Sequence, residues 1–201
     1  MRQHLRTSFL TLTVLALCAA TASAASIVVN GDFQTGTFSG WTVNTSVDTN
    51  NPWTVRQNGS NFFASTGCVG IECIEGNSTQ EAWLSQVLPT VAGVTYTLTF
   101  DYSQAAPGDS GGTPNELEVD FGSDDVVDLI NLTTTAPTTY TYTVTATTSA
   151  TELQFLGEQN PSFDYLDNIS VTATTPEPET FALVGTGLLG LLGATRRKFF
   201  A

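Results

Sequence analysis

The sequence predicts an all-β domain, a β-sandwich of jelly-roll type. Three observations carry that reading. Apolar and polar residues alternate with period two, turn-forming residues interrupt the alternation at short intervals, and no stretch between residues 25 and 174 sustains a helical period. In the clearest stretch Val94, Tyr96, Leu98, Phe100 and Tyr102 alternate with Thr95, Thr97, Thr99 and Asp101. Leu117, Val119 and Phe121 alternate with Glu116, Glu118 and Asp120. Tyr140, Tyr142, Val144 and Ala146 alternate with threonines. One polar and one apolar face per strand marks half-buried antiparallel strands. Asn58-Gly59, Pro89, Gly93, Pro107 to Pro114, Gly122 to Asp125, Pro137 and Asn160-Pro161 supply the turns.

Both ends read differently from the body. Arg2 and Arg6 precede an apolar run from Leu10 to Ala20, and Ala22-Ser23-Ala24 is a small-x-small cleavage pattern, so residues 1–24 read as a signal peptide. At the other end Thr175 to Ala201 orders a proline-spaced acidic turn, an uncharged segment and a basic stop. Pro176 and Pro178 keep a helix from starting before them. The 14 residues from Phe181 to Ala194 would span ~21 Å as a helix, short of roughly 30 Å of hydrocarbon. That length fits a transient membrane association, with the cationic end on the cytoplasmic side.

Pro176-Glu177-Pro178, the Gly/Leu-rich run Leu183 to Leu192 and Arg196-Arg197-Lys198 occur in order. This tail resembles the PEP-CTERM sorting signal of Gram-negative bacteria. The resemblance implies export, recognition by a membrane protease of the exosortase type, and a cell that makes exopolysaccharide. Residues 175–201 would then be an address, leaving one domain at 25–174, large enough for a single core.

Charge narrows the partners. Of 19 acidic residues only Glu177 and Glu179 lie in the tail, and of six basic residues only Arg56 lies in the body. Residues 25–175 thus carry 17 acids against one base, a net charge of about −16. Such a domain repels phosphate backbones, so nucleic acid is excluded as a partner, whereas neutral sugars and divalent cations remain compatible. The only histidine, His4, sits in the signal peptide. Histidine-based catalytic triads and histidine zinc sites are therefore unavailable to the domain. Gly108-Asp109-Ser110-Gly111-Gly112 matches the nucleophile segment of trypsin-like proteases, but no base exists to activate Ser110. The domain's two cysteines, Cys68 and Cys73, predict a disulfide in an exported chain, since their spacing and acidic surroundings disfavour a redox pair.

Asn30-Gly31-Asp32-Phe33 with Gly40-Trp41 opens the domain, Trp83 to Val87 and Gly93 to Phe100 occupy its middle, and Tyr165 to Val171 closes it. Together these segments resemble the galactose-binding-like jelly roll and its family-4/9-type carbohydrate-binding modules. The resemblance implies glycan binding and a structural calcium where the first and last strands meet. Parity supplies a separate reason for a cation. Asp167 shares the alternation of Tyr165, Ile169, Val171 and Ala173, which points it inward if that parity is buried. An inward carboxylate requires a partner, and the domain has almost no basic residue. Calcium at Asn30, Asp32, Gln34 and Asp167 answers that need; capping of a turn by Asp167 is the other answer. Gln34 stands where similar modules have glutamate.

Sugar binding needs exposed aromatic platforms beside hydrogen-bonding groups. Trp41 reads as core and Trp83 as ambiguous. Trp53, in Asn50-Asn51-Pro52-Trp53, reads as the exposed platform, with Arg56 and Asn58 completing the site. Glu116 and Glu118 lie about 7 Å apart on one strand face, a spacing that suits inverting glycoside hydrolysis. Asp120 continues the row, however, and alternating acids on a strand's polar face are ordinarily just solvated. The expectation is an exported, surface-sorted, non-catalytic glycan- or exopolysaccharide-associated protein. A structural matrix or adhesin protein is the alternative, and a glycoside hydrolase a distant one.

Overall fold

A computed structural model describes residues 24–44, 52–67, 82–105, 115–133, 135–159 and 162–174. Among these described residues are ten strands: β1 (Thr42–Asn44), β2 (Thr54–Asn58), β3 (Asn61–Thr66), β4 (Ala82–Leu88), β5 (Thr95–Gln104), β6 (Glu116–Phe121), β7 (Asp124–Ile130), β8 (Thr138–Thr145), β9 (Thr151–Glu158) and β10 (Asp164–Ala173). They form two five-stranded sheets. The first runs β1-β4-β9-β6-β7 and the second β2-β3-β10-β5-β8, with every pairing antiparallel. Among the described residues there is no helix, and so none long and apolar enough to cross a membrane.

The alternation in β5 sets the pattern. Tyr96, Leu98, Phe100 and Tyr102 are buried, and the residues between them are half-exposed. Leu117, Val119 and Phe121 of β6 and Leu153 and Phe155 of β9 meet them from the other sheet. Phe100 stands edge-on to Phe155, with centroids 5.5 Å apart, and Tyr96 leans on Phe121 at 6.3 Å. Trp41, predicted to be core, is 8% exposed and packs against Phe33 and Phe155. The described core is drawn from Phe33 to Val171, with Ile27, Val28 and Ala173 packed against it.

The paired strands β5 and β10 carry two irregular features close together. In the middle of β10 there is a bulge: Asp167 pairs with Asp101, but Ser170 pairs with Thr99, leaving one residue extra on β10. Asn168 takes the left-handed conformation there, φ 52°, which asparagine tolerates better than most residues. Just beyond it, where β10 begins beside the end of β5, Tyr102, Gln104 and Asp164 form a buried polar layer. The Tyr102 hydroxyl donates to Asp164 Oδ1 at 2.8 Å and accepts from Gln104 Nε2 at 3.3 Å.

Candidate functional site

The opening turn and the closing strand meet at the bulge. Asn30 and Phe33 both have positive φ, folding Asn30-Gly31-Asp32-Phe33 into a tight turn. Ile169 N donates to Gly31 O at 2.9 Å. A Cβ on Gly31 would lie 2.0 Å from Ile169 O, so only glycine permits this approach. The Asn30 amide nitrogen donates to the carbonyls of Thr37 and Ser39, its oxygen accepts from Thr35 N, and its own carbonyl accepts from the Trp41 indole. Asn30 is thereby a loop organiser, and its side chain is turned to that loop rather than to a cation beside Asp167.

The bulge also reverses the parity expected for Asp167. Before Asn168 the inward residues are Asp164 and Leu166, both 0% exposed; after it they are Ile169 and Val171. Asp167 is half-exposed on the outer face, and Asp164 is the inward carboxylate. Alternation counted through a left-handed residue therefore pointed to the wrong aspartate. Burial pushes the Asp164 carboxyl well above the usual range, opposed in part by the Tyr102 hydrogen bond. Among the described residues Asp164 Oδ2 has no hydrogen-bond partner, consistent with a protonated acid.

On the outer face of the second sheet Asp167 belongs to a polar network. Its Oδ2 accepts from Asn61 Nδ2 at 3.0 Å and its Oδ1 from Asn168 N at 2.8 Å. Gln34 Nε2 reaches Asn61 Oδ1 at 2.9 Å and the Asp32 carbonyl at 2.9 Å. Across the ladder Asp101 accepts from Asn168 Nδ2 and from the Thr139 hydroxyl. Partial burial raises the Asp167 pKa, with the charges of Asp101 and Asp32 adding to the rise. Asn61 thus links Gln34 to Asp167, Asp32 and Asp101 act on Asp167 through their charge, and the Asn30 side chain is left out. Hard oxygens without a basic partner suit a calcium-type cation.

A shallow groove of about 450 Å³ opens beside this network. Phe63 and Tyr165 form its aromatic wall, edge to face with centroids 5.2 Å apart. Asn58, Asn61, Ser103 and Asn168 provide amides and a hydroxyl, and Asp101 and Asp167 provide carboxylates. Both aromatic residues are half-buried.

Trp53 is not that platform. It is 3% exposed, its indole donates to Ala82 O at 2.7 Å, and it sits against Gly157 between the sheets. Pro52-Trp53 suggested a loop, but an indole this large is more stable buried with its N–H satisfied. Arg56 is exposed on β2 and stacks on Phe163 at 4.1 Å from the ring centre. Asn58 does line the groove, two residues along the same strand. Trp83 is 38% exposed on the outer face of the first sheet. The row Phe63–Ser65, alternating beside Tyr165, was the readable signal for the groove and went unused.

Glu116, Glu118 and Asp120 are half-exposed on the outer face of the first sheet. Glu118, Asp120 and Asp125 bring carboxylate oxygens within 4.8 Å of one another. Burial and Asp125 raise the Asp120 pKa. Cys68, Cys73, Ser110, the signal segment, and the sorting residues Pro176, Glu177, Pro178, Arg196, Arg197 and Lys198 lie outside the described residues.

Residues 174–198 match the family model of the PEP-CTERM protein-sorting motif. The chain carries a PEP-CTERM motif. That motif marks an exported, envelope-sorted protein. Among curated proteins no sequence matches the chain. Solved structures match the sandwich instead. The enzymatically active domain of bacteriophage CBA120 tailspike protein 4 aligns with TM-score 0.53 at 13% identity, covering 74% of this chain but only 21% of that one. The K3 cleaved adhesin domain of Lys-gingipain from Porphyromonas gingivalis aligns with TM-score 0.51 at 18% identity, covering 75% and 98%. A Clostridium thermocellum xylanase 10B chain holding CBM22-1 and GH10 modules, complexed with xylohexaose, aligns with TM-score 0.50 at 10% identity, covering 75% and 29%. At these identities the likeness establishes the β-sandwich fold.

Proposed function

We propose that the sorted protein is a non-catalytic glycan-binding module of the cell envelope of a Gram-negative bacterium. Its ligand is an extended, neutral or exopolysaccharide-type chain lying in the groove of the second sheet. The single observation that carries this reading is the aromatic wall of Phe63 and Tyr165 set among side-chain amides on a stiff antiparallel face. Sugar rings present apolar C–H faces and equatorial hydroxyls together, and an aromatic face beside amides and carboxylates complements both. The absence of histidine from the domain favours binding over turnover. An exosortase-type protease acting near Pro176-Glu177-Pro178 and a calcium ion at Asp32, Gln34 and Asp167 complete the proposal.

The test is a glycan array and affinity electrophoresis with the protein and its Phe63→Ala and Tyr165→Ala variants. Retention by a polysaccharide that both variants lose supports the reading. Silence across neutral and acidic glycans turns the protein into a structural matrix component, and reducing-sugar release abolished by Glu116→Gln makes it a hydrolase.

A further inference from the structure

Each sheet has two edge strands, and an open edge is a template for another chain unless something blunts it. Three of the four edges here are blunted. β1 is three residues long. β2 is five residues long and carries Arg56. β7 carries Asp124, Asp125 and Asp128 and a bulge opposite Val119–Asp120. The fourth edge, β8, has none of these devices. Thr138–Thr145 runs eight residues with no charge and no proline, and its pairing with β5 is unbroken over all eight. An uncharged strand stands out in a domain whose net charge is about −16.

The direction of its free groups follows from the ladder. Ala146 donates to Val94 O at 3.0 Å and accepts from Gly93 N at 2.7 Å, so its main chain points toward β5. Alternation then turns the main-chain N–H and C=O of Thr139, Thr141, Thr143 and Thr145 outward. Among the described residues nothing pairs with them. The edge is also held in shape beforehand, because Tyr140 and Tyr142 stack on Phe100 with centroids 5.4 and 6.1 Å apart.

We propose that β8 is the contact edge of a symmetric dimer, occupied by β8 of a second copy of this chain. The occupant is argued from the strand itself. Thr139-Tyr140-Thr141-Tyr142-Thr143-Val144-Thr145 is nearly palindromic about Tyr142. An antiparallel partner in that register sets Thr141 opposite Thr143, Thr139 opposite Thr145, and Tyr140 opposite Val144. Every polar position then meets a polar one and every apolar position an apolar one. The four outward threonines of each copy make about eight main-chain hydrogen bonds in the narrow-pair pattern. A two-fold axis through Tyr142 gives an isologous contact and one continuous ten-stranded sheet. The outer faces of both copies lie on the same side of it. Asp124 and Asp125 of β7 line a common hollow with Tyr142 to Thr145, so salt should tighten the dimer rather than loosen it.

The inference stands apart from the glycan reading and is tested without a ligand. Sedimentation equilibrium is run on Ala25 to Thr174, which holds all ten strands and the whole described core. A monomer–dimer equilibrium that tightens with salt is expected. Thr141→Glu with Thr143→Glu should weaken it at least tenfold and leave the far-ultraviolet circular dichroism unchanged. Thr141→Pro removes only an outward N–H and should do the same. Thr97→Glu with Thr172→Glu adds equal charge on interior strands of the same face and should leave the dimer intact. A protein that stays monomeric at every concentration and salt, or a dimer that survives the β8 charges, overturns the proposal.

Discussion

The Tyr102 hydroxyl donates to Asp164 Oδ1 at 2.8 Å inside the sandwich, where Tyr102 is 1% exposed and Asp164 0%. Both groups are pushed upward: burial is the larger cause in each, and the Asp164 charge adds to the rise at Tyr102. Burial therefore favours the neutral acid and the neutral phenol over an ion in this layer.

Stability should fall as pH rises because of Asp164. Its folded-state pKa lies above the unfolded value of about 3.9. The folded chain thus holds the proton more tightly than the unfolded one. The contribution is full below the unfolded pKa and is lost as pH rises through the folded one. Asp164→Asn keeps the acceptor for Tyr102 and cannot ionise. Its melting temperature should drop less than the wild type's as pH is raised from about 4 to 8. Parallel melting curves would contradict this assignment. Tyr102→Phe leaves the carboxyl without its donor and should cost about 1–3 kcal/mol.

The buried layers were readable because burial in β5, β6 and β8 follows uninterrupted alternation. Val94 to Tyr102 needs only period two to be placed. Two features broke that logic. Asn168 adds a left-handed residue inside β10 and flips the faces before it, which no count along Tyr165 to Ala173 reveals. Trp53 sits just before β2, where local chemistry predicts a loop, yet its indole finds a cavity over Gly157 in the opposite sheet. Contacts between strands distant in sequence decide both, and a single sequence does not print them. The meeting of Asn30-Gly31-Asp32-Phe33 with Asp167-Asn168-Ile169 was legible only through the resemblance, and the groove of Phe63 and Tyr165 was missed.

Trp53 and the groove aromatics should separate in their effects. Trp53→Ala empties a buried indole site and should destabilise by about 3–5 kcal/mol, with glycan affinity intact in whatever folds. Phe63→Ala and Tyr165→Ala should lower affinity at least tenfold with little change in melting temperature. Isothermal titration beside thermal melts distinguishes the two patterns. A Trp53→Ala variant that melts like the wild type but no longer binds would reverse the assignment.

Calcium should stabilise the folded chain through the network at the bulge. Asp167 is half-exposed, and the neighbouring charges of Asp101 and Asp32 help raise its pKa, so a divalent cation relieves repulsion that Asn61 and Asn168 only partly offset. A thermal melt with excess calcium should shift upward relative to one in chelator. Asp167→Ala should remove the shift, and Asn30→Asp should not enlarge it, because that side chain faces its own loop. An unchanged melting point on calcium addition rules the cation out. Acid should weaken the effect as Asp167 takes up a proton, beginning at a higher pH than an ordinary aspartate would give.

Glycine positions give the sharpest test of the seams. A Cβ on Gly157 would fall 2.6 Å from Thr66 Cγ2 and 2.9 Å from Trp53 Cζ2. Both are side-chain atoms, so the sheets can part slightly, and Gly157→Ala should cost about 1–3 kcal/mol. At Gly31 the obstacle is the Ile169 carbonyl oxygen at 2.0 Å, a main-chain atom held by the Ile169 N–H to Gly31 O bond. Backbone cannot rotate aside as a side chain does, so Gly31→Ala should be the more damaging change and should also abolish the calcium shift by displacing Asp32 from Asp167. By contrast Gly59→Ala and Gly93→Ala meet nothing within 4 Å and suffer only from their positive φ. Urea denaturation of the four variants should rank Gly31 as most destabilised. Equal midpoints for Gly31→Ala and Gly59→Ala would mean that the opening turn does not dock against β10 as described.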